Sequence, residues 1–97
     1  MIYKVVFNHP ALKKHFEEAL FKISLAAQDE IMDAVLNLAE NPRPHGVLKI
    51  KPPVDIYNFV AQYRIRIGQY RVFYDVDDAG KKVSIIALRR RDEKSYK

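Results

Sequence analysis

The sequence predicts an α+β domain in the order β-α-α-β-β-β, an antiparallel sheet with two helices packed on one face. Three observations predict it. Apolar residues recur at helical spacing from about Pro10 to Glu40 with no Gly or Pro between. Two alternating runs then flank Gly68-Gln69 in YRIRIGQYRVFYD, from Tyr63 to Asp75, which is the pattern of a hairpin. A further apolar run follows the polar turn Asp77-Asp-Ala-Gly-Lys-Lys82. At 97 residues the chain is one domain, 1–97, within the size that folds without disulfide or metal staples.

Ile2 to Phe7 reads as a short strand rich in β-branched and aromatic residues. Asn8 or His9 caps the helix that follows, and Pro10 belongs in its first turn, where a missing N–H is harmless. Leu12, Phe16, Ala19, Leu20 and Ile23 form its apolar stripe, which continues through Ala27, Ile31, Val35 and Leu38. As one helix the segment would be a rod of about 45 Å. A compact domain of this length is about 32 Å across. Two antiparallel helices are therefore expected, with a break between Ser24 and Gln28. Asn41-Pro-Arg-Pro ends the second helix. The stretch to Asp55, with Gly46 and Pro52-Pro53, reads as a loop anchored by Val47, Leu48 and Ile50.

From Ile56 the period becomes two. A type II′ turn at Gly68-Gln69 sets Ile67 against Tyr70, Arg66 against Arg71, Ile65 against Val72 and Arg64 against Phe73. Arg64, Arg66 and Arg71 then share one face. Gly80 is available for a positive φ in the next turn. Pairing Val76 with Val83 sets Tyr74 against Ile85 and Arg71 against Leu88. That register puts Val83, Ile85 and Ala87 in the helix-facing core. It leaves an open face with a floor of Phe73, Ile86 and Leu88, crossed by Arg64, Arg66, Arg71 and Arg90. Tyr57, Phe59 and Tyr63 read as core and sheet-edge packing.

Like charges opposite one another destabilise a sheet. Arg66 against Arg71 is most simply tolerated with an anion between them, and the guanidinium fork matches phosphate oxygens bidentately. The charge distribution agrees. Residues 1–63 hold seven Lys/Arg and seven Asp/Glu, while residues 64–97 hold ten and five, so the whole net charge of +5 lies in the last third. A one-sided basic surface is the footprint of a nucleic-acid binder, and it also suits an acidic protein. With no cysteine, thiolate chemistry and Cys-based metal sites are excluded. His9, His15 and His45 lack metal-ligand spacing, and Asp77 and Asp78 read as turn formers, so no metal and no cofactor are expected. No apolar run is long enough for a signal peptide or a membrane span, so a cytoplasmic protein without a membrane partner is expected.

The pattern YR-x-R-x-G-x-YR-x-x-Y, followed by ALRRRDEKSY with its R-x(5)-Y ending, resembles the RelE/ParE superfamily of small bacterial toxins from type II toxin–antitoxin pairs. The likeness runs from about Tyr3 to Tyr96, including two helices ending in AENPRP, and it implies the RelE-like fold and a cognate antitoxin. In the RelE branch it implies an endoribonuclease that enters the ribosomal A site. There it cuts mRNA by attack of the 2′-OH on the scissile phosphate, leaving a 2′,3′-cyclic phosphate. In the ParE branch it implies a DNA gyrase inhibitor with no nuclease site.

Under the first branch the resemblance makes Arg71, Arg90 and Tyr96 catalytic. Arg71 stabilises the charged transition state, Arg90 serves the leaving 5′-oxygen, and Tyr96 positions or activates the nucleophile and stacks on a base. Arg64 and Arg66 fall where RelE has a basic pair, and with Arg89 and Lys94 they form the expected RNA-binding set. Arginine does not deprotonate in proteins, so a general base has to be Tyr96, Lys94 or a ribosomal group, if there is one.

Overall fold

The computed structural model describes residues 2–91. Its elements are β1 (Lys4–Val6), α1 (Pro10–Leu20), α2 (Leu25–Asn37), β2 (Leu48–Ile56), β3 (Phe59–Ile67), β4 (Tyr70–Asp77) and β5 (Lys82–Arg90). The α+β class and the two helices are as predicted, and the sheet gains a strand.

His9 is the cap of α1: its backbone is extended and its Nδ1 accepts a hydrogen bond from the Ala11 N–H at 3.0 Å, with Pro10 just inside the helix. The helical pattern does break, slightly ahead of the predicted interval. Ser24 is the residue that decides it. Its Oγ accepts from the Ala27 N–H at 3.2 Å, which makes it the cap of α2 and leaves residues 21–24 as the connection. The Gln28 amide reaches back to donate to the Ile23 carbonyl at 2.9 Å. The apolar stripe runs through the break because both helices feed one core. The longest extent of the fold is 34 Å, too short for an uninterrupted rod from Pro10 to Glu40.

The sheet order is β1-β5-β4-β3-β2. β1 pairs with β5 in parallel, through Val5 and Val83, and every other pairing is antiparallel. The segment read as a Pro-rich loop is the edge strand β2. Its ladder to β3 is irregular between Lys49 and Val54, and Pro52 and Pro53 lie in that irregularity. A residue without an N–H is tolerated there, because an edge strand has one unpaired side and a bulge suspends the ladder.

One core joins Phe16 and Leu20 of α1 and Ile31 and Val35 of α2 to Val72, Tyr74, Val83, Ile85 and Leu88 of the sheet. A second lies around Phe73, Ile86 and Ala87 and takes in Leu12 of α1 with Ile56 and Ala61 of the β2–β3 hairpin. The predicted open floor is thus filled: Phe73 and Ile86 are each 1% exposed.

The loop after α2 is fastened by a polar clamp. Arg43 donates through both terminal nitrogens to Asp78, at 2.8 and 3.2 Å, and through Nε to the Tyr63 hydroxyl at 3.0 Å. The Tyr3 hydroxyl donates to Asp78 at 2.6 Å, and the Tyr74 hydroxyl to the Pro42 carbonyl at 2.7 Å. The Arg43 guanidinium, and then the Tyr3 hydroxyl, hold the Asp78 carboxyl well below its ordinary range, at about 2. Burial, with Tyr63 beside it, pushes the Tyr74 phenol well above its ordinary value. Asp77 is a turn former as expected, accepting from the Gly80 N–H at 3.0 Å. The positive φ of that turn belongs to Lys81, at 56°, and not to Gly80.

Candidate nucleic-acid interface

The β3–β4 hairpin has the predicted register: Ile67 faces Tyr70, Arg66 faces Arg71, Ile65 faces Val72 and Arg64 faces Phe73. Gly68 takes φ +58° while Gln69 does not take a positive φ, the asymmetry of a type II′ turn. Val76 faces Val83 and Tyr74 faces Ile85, also as predicted.

Beyond that point β5 departs from simple alternation. Phe73 pairs with Ala87, so Ile86 is an extra residue between Ile85 and Ala87, a β-bulge. The phase of every later residue inverts. Arg71 is opposite Arg89, not Leu88; Leu88 pairs with Val72 and belongs to the helix-side core; Arg90 pairs with Tyr70 on that same side. The reason is packing. Ile86 and Ala87 are each 1% exposed and both belong to the second cluster, and a bulge is what lets two successive residues pack on the same side of a sheet. Arg90 tolerates the helix-side phase because it ends the strand and is exposed.

The result is a ladder of arginines across three neighbouring strands: Arg66, Arg71 and Arg89 in directly paired positions, with Arg64 two residues from Arg66 on the same face. Arg66 is exposed, and Arg64, Arg71 and Arg89 are half-buried. Arg64 and Arg66 line one cleft of about 470 Å³ with Gly46 and Leu48. Arg89 and Arg90 line a second, of about 390 Å³, whose other walls include His15 of α1, Lys22 of the connection between the helices, Tyr57 and Tyr70. Tyr96 and Lys94 lie outside the described residues. Among the described residues no three His, Asp or Glu side chains gather as metal ligands would, and no helix is long and apolar enough to cross a membrane.

Tyr63 is core and Phe59 packs against the second cluster, but Tyr57 does not pack as predicted. It stands at the tip of the β2–β3 hairpin, 41% exposed. Its ring stacks on His15, with centroids 4.2 Å apart and planes 11° from parallel. The Arg89 guanidinium lies over that ring at 5.1 Å and donates to the Tyr57 hydroxyl at 3.3 Å. The available signal was Asn58, a turn former between two apolar runs, which marks its neighbour as a tip residue. The prolines of β2, which read as loop, obscure it.

Guanidinia in register beside clefts open to solvent have the chemistry to hold an anion. Their mutual repulsion is relieved by a ligand carrying several negative oxygens, and a polyphosphate chain is the extended ligand that suits a ladder.

The family described as "ParE toxin of type II toxin-antitoxin system, parDE" matches residues 6–95. No curated protein matches the chain. Among solved structures, a chain of the archaeal RelE–RelB complex from Pyrococcus horikoshii OT3 is similar at 26% identity and TM-score 0.72, over 97% of this chain and 100% of that one. A chain of the toxin–antitoxin complex RelBE2 from Mycobacterium tuberculosis shares the fold at 20% identity and TM-score 0.66, over 95% of each chain. An arginine-substituted mutant of the E. coli toxin RelE in the free state shares it at 22% identity and TM-score 0.61, over 95% of this chain and 86% of that one. With the match spanning nearly all its length, the chain belongs to the ParE toxin family of type II toxin–antitoxin systems, within the RelE/ParE superfamily.

Proposed function

We propose that the chain is an mRNA endoribonuclease that acts on the ribosome and is neutralised by a cognate antitoxin. The observation that carries this reading is the arginine ladder Arg66–Arg71–Arg89. Cleavage within RNA forms a bond from the 2′-oxygen to phosphorus and breaks the bond to the 5′-oxygen, giving a 2′,3′-cyclic phosphate and a 5′-hydroxyl. The reaction needs the 2′-oxygen in line and the developing charge neutralised, and preorganised cations supply both.

In this reading Arg71 and Arg89 hold the non-bridging oxygens of the scissile phosphate, and Arg90, at the rim of the same cleft, serves the leaving 5′-oxygen. Tyr96 positions the nucleophile. Arg64, Arg66 and Lys94 hold flanking phosphates. No arginine acts as base, so catalysis is charge stabilisation and positioning, with the proton leaving the 2′-OH to Tyr96, Lys94 or a ribosomal group. The similar archaeal chain is in a RelE–RelB complex, which supports a protein antitoxin as partner. In this reading the target is mRNA in the ribosomal A site, in the cytoplasm.

The family description favours a second reading, DNA gyrase inhibition without nuclease chemistry. Induction of the chain in a bacterial host, followed by mapping of RNA 5′ ends, separates the two. The proposal expects cuts inside translated codons. Intact mRNA with broken chromosomes would select the gyrase reading instead.

A further inference from the structure

The strongest feature outside the arginine ladder is the aromatic stack at the mouth of the second cleft. Tyr57 is held at φ +53°, followed by Asn58 at +67°. Two consecutive positive φ values are those of a type I′ turn, for which Asn and Gly are the natural residues and a bulky side chain is an outlier. A tyrosine kept in that conformation, exposed, stacked on the imidazole of α1 and within reach of the guanidinium of β5 is costly as packing alone. Backbone outliers of this kind gather at ligand clamps.

The surroundings define what the clamp takes. Lys22, Arg89 and Arg90 face one carboxylate, Glu18, so the cleft is cationic. Its volume, about 390 Å³, is within the range of small-molecule sites. An acidic peptide would need the cations but not the rings. A nucleotide needs both, because its base stacks on aromatic and guanidinium planes and its phosphate pairs with the cations.

We infer that this cleft is a nucleobase subsite: one base of single-stranded RNA stacks on the His15–Tyr57 pair while its phosphate lies on Arg89 and Arg90. The inference rests on the nuclease reading of the adjoining ladder and adds to it the residues that grip the base. Tyr57 and His15 are positioning residues here, and the cut itself falls to the arginines.

The test is titration of the full chain with adenosine 5′-monophosphate, followed by NMR of the aromatic rings. The His15 and Tyr57 ring signals should move, and inorganic phosphate should bind more weakly. Tyr57→Asn removes the ring and gives the turn a residue suited to positive φ. It should weaken nucleotide binding about 5- to 150-fold while the melting temperature holds or rises. His15→Ala, outside the turn, should weaken binding in the same direction, and Tyr57→Phe should retain most of it. Unchanged binding in Tyr57→Asn would overturn the inference, as would phosphate binding as tightly as the nucleotide. A glutamate-rich peptide that moves the rings where the nucleotide does not would overturn it too, in favour of a protein ligand. Ribosomal mRNA cleavage is scored separately. Nucleotide binding without cleavage would remove the nuclease reading and leave the base site standing; full cleavage by Tyr57→Asn would remove the base site alone.

Discussion

At the scale of single residues, the paired arginines have two opposed effects. Arg71 sits between Arg66 and Arg89 in the ladder, so its removal takes away repulsion within the sheet. Arg71→Ala should therefore fold with an unchanged or higher melting temperature and lose on the order of 10²–10³ in cleavage rate. A folded Arg71→Ala with full toxicity would remove this residue from the site. Asp78 gives the fold a pH dependence in the acid range. Its pKa is held at about 2 against an ordinary 3.8, by Arg43 first and then Tyr3. A depressed folded pKa stabilises the protein above the unfolded value, and the contribution is lost as pH falls from about 4 towards 2. Thermal melts should show wild type more stable than Asp78→Asn at neutral pH, with the gap closing over that acid range. A gap constant down to pH 2 would mean the Arg43–Asp78 pair does not hold the loop.

At the scale of elements, Leu12 tests the second core. It lies at 0% exposure against Phe73, Ile86 and Ala87, although it comes from the first turns of α1. Leu12→Ala should cost about 2–5 kcal/mol in denaturant unfolding; a cost near zero would mean that the far face of the sheet is open. This scale also shows what was legible. The hairpin at Gly68-Gln69 was readable to the residue, because alternation and turn chemistry agree there. The helix break was readable within a few residues, because Ser24 is a cap in an otherwise uniform stripe. β2 was not readable, since its prolines announce a loop and only its edge position makes them tolerable. Nor was the bulge at Ile86: Val83 to Leu88 is nearly continuous apolar sequence, and alternation carries no register where every residue is buried. That single extra residue puts Arg89 instead of Leu88 opposite Arg71 and moves Arg90 to the helix side.

At the scale of the whole molecule, Arg64, Arg66, Arg71, Arg89 and Arg90 spread positive charge over the ladder and the two clefts that flank it. A single strand of RNA crossing this surface releases counterions at each phosphate it meets. Arg64→Ala with Arg66→Ala should flatten the salt dependence of ribosome or RNA binding by about one to two units of log–log slope. An unchanged slope would assign the pair to solubility. The central claim is that the ladder promotes attack by the RNA's own 2′-hydroxyl. Its most direct test is a single-turnover cleavage assay on ribosomes carrying a defined mRNA, all-ribose or with 2′-deoxyribose at the nucleotide before the cut. Cleavage of the all-ribose message, none at the deoxy position, and products ending in a 2′,3′-cyclic phosphate are the predicted result. Equal cleavage of both messages, or of neither, would contradict it.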